Sequence, residues 1–207
     1  MALFNKPNFS YSNLRLWEIN ETEEELRNNL NLSESLNSKL DRLKSQSLRK
    51  QFLSVQNLLK LLNIKNDDLF YDSKGKPELS SGKFISISHS FNYCGVIVYK
   101  SKVGIDIEKF RPKILNISQK FVSDSELKLI KEYSIENITK IWTIKEAVFK
   151  AFGYPGIDFK KNIIIDSLNE GFTLGKVKIF KNKIIEHYSI EIISFSNYIC
   201  SVAKLQE

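Results

Sequence analysis

Val103-Gly104-Ile105-Asp106-Ile107-Glu108 alternates apolar and other residues, which is the pattern of a strand. Ile105 and Ile107 point one way, and Gly104, Asp106 and Glu108 the other. Residues two apart on a strand lie about 6.5 to 7 Å apart, so both carboxylates can converge on one hard cation. Gly104 is expected to leave room for a ligand to approach. A second stretch, Ile141-Trp142-Thr143-Ile144-Lys145-Glu146-Ala147-Val148-Phe149-Lys150-Ala151-Phe152-Gly153, reads as a helix. At about 100° per residue, Ile141, Ile144, Val148, Ala151 and Phe152 form an apolar stripe, while Trp142, Glu146 and Lys150 share another side. Taken singly, a Glu–Lys pair four residues apart is most often a solvated helix face, and two acids on a strand are usually an exposed edge. In combination, a third carboxylate beside an ammonium suits a divalent metal that holds a phosphate.

The totals bound the rest. A chain of 207 residues with 42% hydrophobic and 12% aromatic residues can bury one sizeable core or two small ones. No apolar run approaches the ~20 residues that span a bilayer, and Met1-Ala2-Leu3-Phe4-Asn5-Lys6 carries no signal-peptide hydrophobic region, so a cytoplasmic protein without membrane partners is expected. Cys94 and Cys200 lie in strand-like apolar runs without metal-binding spacing, which predicts buried free thiols. His89 and His187 are too few for a histidine metal centre. The net charge of +7 favours anionic partners. Dispersed lysines point to a small anionic ligand or an acidic protein rather than to nucleic acid.

Upstream, residues 14–19 alternate like a strand, and residues 21–40 carry leucines at helical spacing, with Ser33 or Ser35 as cap. A stronger helix is expected over 41–62, with Leu48, Phe52, Val55, Leu58, Leu59 and Leu62 inward and Arg49 on or near the polar side. Asp72-Ser73-Lys74-Gly75-Lys76-Pro77 is a turn in which Gly75 can take positive φ. In Phe84-Ile85-Ser86-Ile87-Ser88-His89-Ser90, Ile85 and Ile87 are expected in the core, with Ser86, Ser88 and His89 meeting solvent or ligand. Residues 117–133 read as a partial helix with Phe121, Leu127, Ile130 and Tyr133 on its apolar face, and Ser123 with Glu126 as a capping box. Residues 162–166, 172–180, 184–194 and 198–205 read as strands. Asn92-Tyr93-Cys94-Gly95-Val96 is echoed by Asn197-Tyr198-Ile199-Cys200-Ser201-Val202 at an offset of 105 positions, as two related halves would produce.

The strand around Asp106 and the later Trp142-Thr143-Ile144-Lys145-Glu146-Ala147-Val148-Phe149-Lys150 resemble the signature pair of the 4'-phosphopantetheinyl transferases, in their longer, monomeric Sfp-type branch. The resemblance implies an α+β fold of two similar subdomains related by a pseudo-two-fold, each a small antiparallel sheet packed with helices. An N-terminal subdomain would cover 1–102 and a C-terminal one with the metal signature 103–207, with the ligand in the cleft of such a duplicated fold. It further implies that Asp106, Glu108 and Glu146 hold Mg²⁺ or Mn²⁺ and that Asp106 and Lys150 meet the diphosphate of coenzyme A. Gly75-Lys76-Pro77 matches the family's loop for the adenine nucleotide end, and Ser88-His89 stands where relatives contact the 3'-phosphate. Basic residues near Arg49 contact phosphates in relatives, although Gln56 stands where many carry arginine. Residues 121–126 lie in the neighbourhood where relatives receive their carrier.

The implied reaction moves the 4'-phosphopantetheine arm of coenzyme A onto a serine of an apo acyl or peptidyl carrier protein and releases adenosine 3',5'-bisphosphate. Glu146 and Lys150 are its catalytic residues, and the serine proton goes to Glu146 or to a water beside it. An acidic carrier surface would use the positive charge of this chain, so added salt is expected to weaken carrier affinity more than turnover. Fatty acid and secondary metabolite biosynthesis are the pathways such carriers serve. Two rival readings are a silent binder of carrier or coenzyme A with the same fold, and a basic RNA-binding module. The RNA module lacks strand aromatics in a stacking pattern.

Overall fold

The computed structural model describes residues 11–28 and 30–206; residues 1–10, read above for a signal segment, lie outside them. The chain divides into two compact units between Val98 and Tyr99. Among the described residues no helix is long and apolar enough to cross a membrane.

The first unit contains β1 (Leu14–Glu18), α1 (Glu23–Arg27), α2 (Glu34–Arg42), α3 (Gln46–Leu61), the short hairpin β2 (Leu69–Tyr71) and β3 (Pro77–Leu79), and then β4 (Phe84–Ser90) and β5 (Tyr93–Tyr99). β1, β5 and β4 form an antiparallel sheet in that order. Thr22 begins α1 with a reciprocal capping box to Glu25, and Ser33 caps α2 as its position suggested. The single helix expected over 41–62 is interrupted, because Leu43 is extended after α2 and α3 starts only at Gln46. Leu53, Val55, Leu58 and Leu59 of α3 pack with Trp17, Ile85, Cys94 and Val96 in this unit's core, while Leu48 is exposed. On β4 the serine face is not open: Ser86, Ser88 and Ser90 are buried, and His89 is exposed on the opposite face of the strand.

The second unit runs β6 (Val103–Lys109), α4 (Ile114–Ile117), α5 (Asp124–Leu127), α6 (Ile135–Phe152), β7 (Ile163–Leu168), β8 (Leu174–Lys181), β9 (Ile184–Phe195) and β10 (Tyr198–Leu205). Its antiparallel sheet has the order β6-β10-β9-β8-β7. Ser134 caps α6 by accepting from the Asn137 amide, and Gly153 ends it at φ 76°, a left-handed cap that glycine adopts without strain. The expected stripe Ile141, Ile144, Val148, Ala151 and Phe152 is buried, and it packs with Ile163, Val177, Ile190, Ile199 and Ala203 from the sheet. Each of the larger side chains among them contributes about 1.5–3 kcal/mol of burial, so this stripe fixes which way Glu146 and Lys150 face.

Residues 117–133 do not form the expected helix. α4 passes into a 3-10 turn at Ser118–Lys120 and α5 spans only one turn. Phe121, Val122 and Ile130 are buried, whereas Leu127 and Tyr133 are exposed, so the burial does not follow a helical period. Both cysteines are free and buried, and burial pushes both thiols well above their usual pKa.

Candidate active site in the second unit

Gly104, Asp106 and Glu108 share the face of β6 that meets α6. A Cβ on Gly104 would lie 1.9 Å from the carbonyl oxygen of Ala147 and 2.8 Å from the amide nitrogen of Ala151. The space expected there for a ligand is therefore filled by the helix backbone. Gly104 is the reason β6 and α6 approach so closely, and that approach brings residues far apart in sequence together. Lys150 Nζ donates to Asp106 Oδ1 at 2.7 Å and to the Ile105 carbonyl at 3.1 Å. Glu108 accepts from the Trp142 indole at 3.2 Å, and Arg111 lies 3.6 Å from its other oxygen.

Glu146 is half-buried on the same side. Burial and then the charge of Asp106 push its carboxyl up to about 7, against the opposing pull of Lys150. Burial and Asp106 likewise raise Glu108, with the Trp142 hydrogen bond and Arg111 acting the other way. Three hard oxygen donors that repel one another within reach of a lysine have the chemistry of a site for Mg²⁺ or Mn²⁺, since a dication relieves that repulsion. Among the described residues, no three acids, histidines or cysteines are already gathered as a metal cage. Lys150 donates to Asp106 and Trp142 to Glu108.

Three features of the site were not read from the sequence. The Trp142 indole is held by Phe121 edge-on at 4.9 Å and by stacking on Phe159 at 5.4 Å, which aims its N–H at Glu108. Lys145 is fully buried, and its ammonium donates to Glu126 at 2.8 Å, Phe121 O at 2.6 Å and Phe159 O at 2.8 Å. Its role is that of a structural ion pair. Glu126 completes the expected capping box with Ser123 and also accepts from the Ile165 amide, so a residue read only as a cap anchors α6 as well. Third, beside Glu108 opens a pocket of about 400 Å³, lined by Arg111, Lys113, Ile114, Ile117 and Trp142 among others.

Residues 102–203, which include β6, α6 and most of β10, match a family model described as the 4'-phosphopantetheinyl transferase superfamily. The chain belongs to that superfamily. It is similar to 4'-phosphopantetheinyl transferase gsp of Aneurinibacillus migulanus, with 27% identity over 166 residues, 77% of this chain and 68% of the relative. The mixed α+β architecture, with antiparallel sheets packed against helices, agrees with that membership, and the chain is an enzyme of the transferase class.

The remaining residues expected to serve this transferase lie in the first unit. Gly75 takes φ 81° in a turn where the Asp72 carboxylate accepts from the amides of Lys74 and Lys76, each at 2.8 Å, and Pro77 opens β3. That bracing fixes the loop's backbone. Ser88 and His89 point to opposite faces of β4, so they do not act as an adjacent pair on one surface. Arg49 is engaged by Glu23, with Nη2 at 2.5 Å from Oε1, and Nη1 donates to the Leu40 carbonyl at 2.8 Å. Its role in the structure is to tie α3 to α1 and α2.

Proposed function

We propose that this transferase moves the 4'-phosphopantetheine arm of coenzyme A onto a serine of an apo acyl or peptidyl carrier protein. The observation that carries the reading is the crowding of Asp106, Glu108 and Glu146 around Lys150, with Glu146 pushed up to about 7. In this reading the three acids hold Mg²⁺, which when bound supplies charge neutralisation for the diphosphate.

Glu146, directly or through a water beside it, accepts the proton of the carrier serine. The serine oxygen then forms a bond to the phosphorus that bears the pantetheine. The bond from that phosphorus to the bridging oxygen breaks, and its electron pair leaves with adenosine 3',5'-bisphosphate. Lys150, already 2.7 Å from Asp106, supports the negative charge that departs. The pocket beside Glu108, with Trp142, Ile114 and Ile117 in its wall, suits the pantetheine arm. Gly75, Lys76, Pro77 and the exposed His89 are proposed for the nucleotide end; Arg49, committed to Glu23, is not.

Incubation with coenzyme A, Mg²⁺ and an apo carrier protein tests this directly. The expected product is a carrier heavier by one phosphopantetheine, formed only with the metal present. An unmodified carrier that still binds the protein would make the chain a silent member of its family.

A further inference from the structure

On the face of β10 that meets α6, Ile199, Ser201 and Ala203 follow one another, and across the sheet they pair with Glu108, Asp106 and Gly104. Ile199 and Ala203 are part of the apolar core with α6. Ser201, between them, is fully buried, and its Oγ has no hydrogen-bond partner. A buried hydroxyl left unmatched costs about 1–3 kcal/mol, a penalty that alanine or valine at the same place would avoid.

The first unit shows the apolar solution. The repeat that sets Asn92 against Asn197 sets Val96 against Ser201, and Val96 is buried opposite Arg15 rather than an acid. Of the two aligned positions, the hydroxyl thus sits at the one that faces a carboxylate. Directly opposed residues in an antiparallel pair have Cβ atoms about 4.5–5.5 Å apart, so rotation of the side chains brings Ser201 Oγ within hydrogen-bonding range of the Asp106 carboxylate.

We propose that Ser201 is a positioning residue for Asp106, its hydroxyl donating to that carboxylate and holding it toward α6 when Lys150 is drawn from Asp106 onto an anionic substrate. The inference rests on the transferase reading above. It assigns Ser201 no contact with substrate. Partners of this kind behind a metal-binding side chain typically change metal affinity about 10- to 100-fold.

The test uses the full chain with coenzyme A and titrates Mn²⁺, following free Mn²⁺ by electron paramagnetic resonance beside thermal melting and carrier modification. Ser201→Ala is expected to melt at or above the parent temperature, because it removes an unmatched hydroxyl. It should bind Mn²⁺ about tenfold more weakly, with the transfer rate recovering at saturating metal. Ser201→Thr keeps the hydroxyl and should restore most of the affinity. Ser201→Cys, close in size but a poor donor, should lose affinity as Ser201→Ala does, and serves if the alanine variant does not fold. Parent-like Mn²⁺ binding by a folded Ser201→Ala or Ser201→Cys protein, while the parent still modifies the carrier, overturns this inference alone. A parent that neither binds Mn²⁺ nor modifies a carrier overturns the transferase reading with it.

Discussion

The two units use one strand arrangement for different ends. In the first, the hairpin β4–β5 turns at Phe91 (φ 50°) and β1 pairs with β5; in the second, β9–β10 turns at Ser196 (φ 51°) and β6 pairs with β10. When Tyr93 is set against Tyr198, Trp17 falls at the position of Glu108, Arg15 at that of Asp106, and Asn13 at that of Gly104. The first unit buries Trp17 in its core and bonds Arg15 to its own backbone through Ser12 O and Leu14 O. The second places acids there and draws a helix onto the strand. A shared strand arrangement thus yields a plain core in one copy and a charged site in the other, and the difference starts at three positions of one strand and is completed by Glu146 and Lys150 on α6.

The largest expected effect sharpens that contrast. Glu146→Gln should lower carrier modification by about 10²- to 10⁴-fold, whereas Arg15→Ala should change it by less than about twofold. An equal loss in both, measured as initial rates of holo-carrier formation, would mean that Arg15 of the first unit takes part in the transfer as Glu146 does.

The next effect concerns how each helix is anchored. Apart from the partly exposed Arg49–Glu23 pair, α3 is held by neutral amides, with Asn57 donating to Leu26 O and Leu53 O and Gln51 to Phe91 O, while α6 is held by the fully buried Lys145–Glu126 pair. Lys145→Met strands a buried carboxylate and should cost about 3–5 kcal/mol in urea unfolding, against about 1–2 kcal/mol for Asn57→Ala. The double variant Lys145→Met/Glu126→Met should recover part of the loss. A single variant as stable as the parent would remove the pair from its anchoring role.

Gly104→Ala forces a methyl into the backbone of α6 and should cost about 1–3 kcal/mol. It should also weaken the Lys150–Asp106 contact and lower the transfer rate. At the exposed counterpart, Asn13→Ala should be near neutral. Equal melting temperatures for the two variants would show that the helix yields freely.

The smallest effect is one of pH. The carboxyl of Glu146 is raised from 4.5 to about 7 in the folded chain, so the folded state holds more protons than the unfolded state across that window. Its contribution to stability is therefore present at low pH and is lost as pH rises toward and through 7. With metal chelated, Glu146→Gln should match the parent near pH 5 and exceed it at pH 8 by about 1–2 kcal/mol, the ~3 kcal/mol of the full shift being reduced by solvent at a half-buried group. A gain of the same size at both pH values would assign the effect to packing.

The strand of Asp106 and the helix of Glu146 were legible because their periods of two and 3.6 are local and their apolar stripes are complete. The same local pattern explains the serine caps at Ser33 and Ser123 and the stop at Gly153. What escaped was long-range. No period announces that Lys145 would find Glu126, 19 residues away, or that Gly104 would face a helix backbone rather than a ligand. Residues 117–133 misled because their apolar residues meet the core irregularly, as a loop's do. Ser88 and His89, neighbours in sequence, fall on opposite faces because the strand that carries both alternates.

A catalyst that handles a substrate ending in a free thiol meets a hazard of mixed disulfides. Cys94 and Cys200, sealed in the cores of their units and hard to ionise, offer no thiolate to exchange with it. Preparations should accordingly tolerate oxidised coenzyme A and resist alkylating reagents while folded. One cysteine introduced on the surface would become a selective handle for attaching a dye.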